Sequence, residues 1–131
     1  MKFFFDNCIP PPLVRAIAAI EKAHDLIHQM DCPVDRDADD PDWMKYAASE
    51  GMIAITVDNK ILRRPGERKA RKAYELCTVF LHGAFGSQDI WLQAAFIFRT
   101  WPSITKYARS MKNGQCVRVK NDGKLDPLEN P

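Results

Sequence analysis

The sequence predicts an α/β domain on a central, mostly parallel sheet of about five strands, and three observations carry that prediction. Short apolar runs alternate with segments of helical periodicity. The run Met52–Val57 lies between Gly51 and the polar Asp58-Asn59-Lys60, as a strand buried on both faces does. The first apolar run, Lys2–Phe5, ends like the third on an aspartate, Asp6 and Asp58 respectively. At 131 residues, 46% hydrophobic and 27% charged, the chain suits one domain with a real core. Residues 1–120 are expected to form it, with 121–131 as a flexible tail.

Each element has its own local reason. Pro10-Pro11-Pro12 opens a helix, because proline's fixed φ and missing N–H are tolerated in a first turn and no deeper. Leu13, Ile17 and Ile20 mark its buried face, and it is expected to run to about residue 22. A return strand is predicted over 25–30, where His24 and His28 read as hydrogen-bonded structural residues. The acidic loop 31–40 leads to a helix capped by Asp40 with Pro41 first, turning Trp43, Tyr46 and Ala47 inward. Gly51 ends that helix.

Beyond Asp58, residues 61–66 read as a loop or broken turn. A helix over 67–76 follows, with Ala70, Ala73, Tyr74 and Cys77 inward and Arg68, Lys69, Arg71 and Lys72 outward. Thr78–Leu81 is a fourth buried strand. An apolar helix over 88–99 carries Ile90, Trp91, Ala94, Ala95 and Phe98; Trp101-Pro102 is expected to interrupt it before a second helix over 103–111. The alternation in 115–120 reads as a half-exposed edge strand. Trp91, Phe96, Phe98 and Trp101 read as core or as a self-association surface rather than as base-stacking residues, so this helix is the candidate for a homodimer contact.

The formal charge of +2 is unevenly spread. Asp31, Asp35, Asp37, Asp39, Asp40 and Asp42 stand against Arg36 alone, whereas Lys60, Arg63, Arg64, Arg68, Lys69, Arg71 and Lys72 stand against Glu67. An acidic cluster beside a basic stretch suits a cation site flanked by a polyanion surface, although charge runs are also commonly just solvated faces. Cys8, Cys32, Cys77 and Cys116 lack zinc-ligand spacing, and three of them, lying near apolar segments, read as small buried thiols. No secretory signal and no apolar run of bilayer length is visible, so a cytoplasmic, reduced protein with no membrane partner is expected.

With the strands parallel, Asp6 and Asp58 leave them at the same sheet edge, and Asp42 opens the helix that starts from that side. Asp58 reads equally well as a turn residue or helix cap. Three carboxylates at one edge need a counter-charge, and oxygen-only ligands select Mg²⁺ or Mn²⁺ over zinc. Such an ion acidifies a bound water, and nearby cations would hold a phosphodiester beside it. The reaction class that follows is metal-dependent phosphodiester hydrolysis.

The opening Phe3-Phe4-Phe5-Asp6-Asn7-Cys8-Ile9-Pro10, the Asp42-Trp43 helix start with Ala47 and Gly51 downstream, and Ile55-Thr56-Val57-Asp58-Asn59 resemble short PIN-like ribonuclease domains. Within that group the chain looks most like VapC-type toxins of toxin-antitoxin pairs. The resemblance spans roughly residues 1–120. It implies a three-layer α/β/α fold, RNA as substrate, acids binding Mg²⁺ or Mn²⁺, endonucleolytic cleavage and a small cognate antitoxin.

By that resemblance Asp6, Asp42 and Asp58 are the catalytic and metal-binding acids, with Asp40 and Asn59 as further candidate ligands. Lys60, Arg64 and Arg68 are the candidate RNA contacts. Longer relatives carry another acid on inserted helices; here Asp39, Asp40 or a water would substitute. Asn7 stands where short relatives often place Glu. Two other functions compete. A catalytically idle RNA- or protein-binding module would keep the fold without hydrolysis. A receiver-like phosphoacceptor would want two adjacent acids after the first strand, where this chain has Asp6-Asn7.

Overall fold

The computed structural model describes residues 1–34 and 40–129, with Asp40 described by its backbone. The elements run β1 (Lys2–Phe5), α1 (Pro11–Ile20), β2 (Asp25–His28), α2 (Asp40–Ser49), β3 (Met52–Thr56), α3 (Lys60–Arg63), α4 (Pro65–Ala73), β4 (Thr78–Leu81), α5 (Ile90–Ala108), β5 (Cys116–Val119) and β6 (Leu125–Leu128). Six strands form one sheet in the order β2-β1-β3-β4-β5-β6. All neighbours are parallel except β5 and β6.

Side chains alternate across a strand, so the Phe3-Phe4-Phe5 run feeds both faces of the sheet. Phe3 and Phe5 pack with Leu13 and Ile17 of α1 and with Ile97, Trp101 and Ile104 of α5. Phe4 packs on the other face with Trp43, Met44 and Ala47 of α2 and with Ile61 of α3. Its ring stacks on Trp43 at 5.1 Å between centroids. Each fully buried phenylalanine contributes about 1.5–3 kcal/mol, and the result is three layers, helix on sheet on helix.

The strand order places a topological switch point at β1 and β3. From β1 the chain moves outward to β2, then returns across β1 to β3 and continues the other way. In open α/β sheets the crevice beyond the carboxyl ends at such a point is where ligands bind. Asp6 follows β1 there and Asp58 lies just past β3.

Several elements differ from expectation. Residues 60–63 form a short helix rather than a loop, and α4 begins at Pro65. Arg64 between them is extended because a proline follows it. The inward face differs too: α4 ends at Ala73, Ala73 and Tyr74 are exposed, and Arg71, expected outside, is 1% exposed. Its Nη1 donates to Gly114 O and Cys116 Sγ, each at 3.0 Å.

The interruption expected at Trp101-Pro102 is absent, and α5 runs unbroken through Pro102. An interior proline costs about 3 kcal/mol. Burial of Ile97, Trp101, Ile104 and Ala108 on one helical stripe offsets that cost, and Trp101 Nε1 also donates to Glu21 Oε2 at 2.7 Å. Phe96 joins Trp101 in the core. Ile90, Trp91, Leu92 and Phe98 are exposed, Trp91 by 81%.

β2 ends at His28 and gives way to a 3-10 turn over Gln29–Asp31. His28 is structural: Nδ1 accepts from Met30 N–H, which leaves Nε2 to donate to Ile9 O at 2.7 Å. The strand 116–119 is interior rather than an edge, because the segment after Asn121 returns as β6. Gly123 at φ +86° makes the hairpin turn, with its N–H donated to Lys120 O. Among the described residues no helix is long and apolar enough to cross a membrane.

Candidate active site

Asp6 is the best-held acid at the switch point. Its residue is 7% exposed, and its backbone N–H continues the ladder to Ile55 O at 3.1 Å. The Thr56 hydroxyl donates to Asp6 Oδ2 at 2.7 Å. Register explains the contact: Phe5 pairs with Ile55, so the next residues, Asp6 and Thr56, face each other just where the strands end. The Cys8 thiol lies 3.3 Å from the same oxygen and also donates to it.

Thr56 reaches the second acid as well. Asp58 N–H donates to the Thr56 hydroxyl at 3.0 Å, so one side chain bridges the backbone of Asp58 and the carboxylate of Asp6. Asp58 is half-buried. Its Oδ1 accepts the Lys60 N–H at 2.9 Å, which is the turn role its position allows. That contact leaves Oδ2 without a hydrogen bond among the described residues.

Asp42 occupies the first turn of α2, which leads into β3 and so starts from this edge, and its side chain is exposed. No hydrogen bond joins it to Asp6 or Asp58. Among the described residues no group of three or more His, Cys, Asp and Glu side chains is placed to hold a metal ion by itself. Residues 35–39, Asp39 among them, and the side chain of Asp40 lie outside the described residues. Asn59 is the first residue before α3 and makes no cap with its side chain. Its Oδ1 is buried without a hydrogen-bond partner, a costly state that contact with a cation would relieve. The oxygen donors of Asp6, Asp58 and Asn59 therefore fit a hard divalent cation in kind.

Cys8 is the neighbour that sequence reasoning missed. Its sequence context shows only that it lacks zinc-ligand spacing; as a residue it is exposed, yet its sulfur turns toward Asp6 and Thr56. The sulfur lies 3.5 Å from Thr56 Oγ1 and accepts the Val57 N–H at 3.4 Å. Burial and then the negative charge of Asp6 push its pKa up to about 12. It is a thiol held as a donor toward Asp6, not a thiolate nucleophile. The signal in the sequence was its place two residues after Asp6, inside the turn that leaves β1.

The three expected RNA contacts separate. Lys60 is exposed at the start of α3. Arg64 is tied to Glu67 at 3.3 Å. Arg68 lines a groove of about 580 Å³ with Arg63, Lys69 and Lys72. Arg63, Lys69 and Lys72 read from sequence only as part of a charge run, and helical spacing along α4 sets Lys72 one turn beyond Arg68 and Lys69.

Comparison with known proteins bears on this arrangement. No curated protein and no solved structure matches the chain. The family described as PIN like domain matches residues 1–83, which span β1 to the end of β4 and contain Asp6, Thr56 and Asp58. That match covers more than half of the 131 residues, and the chain belongs to the PIN-like domain family, a nuclease-type fold.

Proposed function

We propose that the protein is a metal-dependent endoribonuclease whose acid site is built on Asp6 and Asp58 and completed from the start of α2 by Asp42 or Asp40. The observation that carries this reading is the Thr56 hydroxyl, which orients the buried Asp6 carboxylate while holding the backbone of Asp58. Hydrogen-bond donors behind a carboxylate fix it in place as a ligand.

In this mechanism the Asp6 carboxylate is held in one orientation, because Thr56 and Cys8 both donate to Oδ2. Asp58 presents the oxygen not used by Lys60 N–H, and Asn59 contributes a neutral one. A bound Mg²⁺ or Mn²⁺ would neutralise phosphate charge and acidify a water. Lys60, Arg63 and Arg68 hold the phosphodiester backbone beside the acids and carry no base information.

The test is RNA cleavage by purified protein with Mn²⁺, alongside the thermal shift that Mn²⁺ produces. Asp6→Asn and Asp58→Asn should each lower cleavage by about a hundredfold or more and abolish the shift. Undiminished cleavage by both variants would overturn the reading. The narrower role, a toxin silenced by a cognate antitoxin, rests on the resemblance of the segments around Asp6 and Asp58. Growth arrest on expression, absent for Asp6→Asn, is its test.

A second reading is an RNA-binding module without hydrolysis. It is favoured by the lack of a self-sufficient group of three acids among the described residues. It predicts no Mn²⁺ shift and no cleavage alongside intact RNA affinity.

A further inference from the structure

One strand over from Asp58 lies a concavity of about 210 Å³, lined by His82, Gln88, Leu92, Phe96, Arg99 and Asn121. His82 follows the last residue of β4 as Asp6 follows the last residue of β1, so both stand on the carboxyl edge of the sheet. Since β4 is the neighbour of β3, His82 leaves the sheet one strand from Asp58. The loop after β4 also packs against the residue before Asp58: a Cβ at Gly86 would meet Val57 Cγ2 at 3.8 Å.

The chemistry of this cavity is unusual for a mere surface dent. His82 is 6% exposed, and its Nε2 is buried without a hydrogen-bond partner. Buried polar atoms in native proteins are nearly always paired, and the exceptions need an explanation. The imidazole is packed edge-on to Phe96 at 4.6 Å between centroids. Burial, and then the charge of Arg99, lower its pKa, so the ring is neutral and offers one donor and one acceptor. Arg99 is positioned rather than loose: its guanidinium carbon lies 5.6 Å from the Phe96 centroid, and Nη2 donates to Asn121 O at 3.4 Å.

We infer that this cavity receives one unpaired nucleobase of the RNA strand that crosses the acid site, with Arg99 flanking the base and the His82 ring and the Gln88 amide at its edge. The inference rests on the ribonuclease reading for the identity of the strand. Three features select a base. The volume is below the roughly 300–1,000 Å³ of pockets for drug-sized ligands, which suits a single ring system rather than a whole nucleotide. The walls mix Leu92 and Phe96 with a neutral imidazole and an amide, whereas a phosphate site would converge several cations. Single-stranded RNA offers splayed bases that stack on Arg guanidinium planes and hydrogen-bond through their edges.

The experiment uses the full chain with ¹³C,¹⁵N-labelled histidine and follows the His82 ring resonances by NMR, assigned through His82→Gln. The probes are the four ribonucleosides, added singly, and inorganic phosphate. At least one nucleoside should shift the His82 resonances, with a preference order among the four, and phosphate should not. Arg99→Ala and Gln88→Ala, both at less buried positions than His82, should weaken that nucleoside by roughly tenfold. No shift with any nucleoside, a shift with phosphate alone, or equal affinity in both variants overturns the proposal. The outcome is separable from the nuclease reading. A chain that binds nucleosides without cleaving RNA loses only the hydrolysis, and an active nuclease with a silent His82 loses only the base pocket.

Discussion

The Thr56 hydroxyl donates to Asp6 Oδ2 across 2.7 Å, joining the ends of two parallel strands that lie side by side at the switch point of the sheet. Thr56 Oγ1 in turn accepts the Asp58 N–H, so a hydroxyl does what a hydrophobic residue of the same shape cannot. Thr56→Val keeps the β-branch and the volume but removes the hydroxyl shared by the buried Asp6 carboxylate and the Asp58 amide. It should destabilise the protein by about 1–3 kcal/mol and reduce Mn²⁺-dependent cleavage by roughly 10–100-fold. Thr56→Ser, which restores the hydroxyl, should recover most of the activity. Urea unfolding and single-turnover cleavage of the two variants check this; a fully active Thr56→Val would remove Thr56 from the site.

Cys8 reports on the charge of Asp6. With its pKa at about 12, the reactive thiolate at pH 8 is roughly one part in ten thousand. Alkylation of Cys8 in the folded protein should therefore be slower than in the unfolded chain by about a thousandfold. Asp6→Asn removes the second of the two main causes of that shift and should speed alkylation, read site by site by mass spectrometry. The folded state keeps this proton across the window from 9.0 to about 12 in which the unfolded chain releases it. Stability should accordingly fall as pH rises through that window, and less so in Cys8→Ser. An Asp6→Asn rate equal to wild type would contradict the electrostatic link.

What was legible in the sequence was mainly local. The apolar runs at β1, β3 and β4 and the proline that opens α1 follow from propensity, and the match over residues 1–83 agrees with the resemblance read from Asp6 and Thr56-Val57-Asp58. Long-range packing was not legible. Nothing local says that α5 survives Pro102, because the compensation comes from Ile97, Trp101 and Ile104 against the sheet. Arg71 was read as surface because a charge run has no marker for the one member that finds buried acceptors. The β6 hairpin did have a signal, Asp122-Gly123 between the alternating residues 115–120 and Leu125, and a disordered tail was the weaker reading of it. Within the site, the paired placement of Asp6 and Asp58 could be inferred from parallel strands, but the inward turn of Cys8 and the unpaired nitrogen of His82 depend on side-chain geometry.

Arg71 gives a stability prediction separate from any RNA contact. Its guanidinium is buried between α4 and the strand that opens at Cys116, bonded to Gly114 O and Cys116 Sγ. Arg71→Met keeps the apolar stem and removes the hydrogen bonds, and should cost about 1.5–3 kcal/mol. Lys69→Ala, on the exposed side of the same helix, should stay within about 0.5 kcal/mol. Denaturant midpoints decide the matter. Equal effects of the two substitutions would mean that Arg71 is no anchor.

The last strand makes the final prediction. β6 covers β5 over four paired positions, Cys116 with Leu128 through Val119 with Leu125, and sets Asp126 opposite Arg118. Cross-strand pairs contribute roughly 0.2–1 kcal/mol each, so truncation after Asn121 should destabilise the domain by about 1–3 kcal/mol. It should also expose the buried Cys116, Val117 and Val119 strand as a new sheet edge and promote association. Pro127 isolates the second effect. It lies opposite Val117 on the outermost strand, where a missing N–H blocks further pairing. Pro127→Val should leave the urea midpoint within about 0.5 kcal/mol yet raise light scattering at high protein concentration. If the truncated chain stays monodisperse with an unchanged midpoint, β6 is an ornament of the sheet; if only the midpoint falls, it stabilises without guarding the edge.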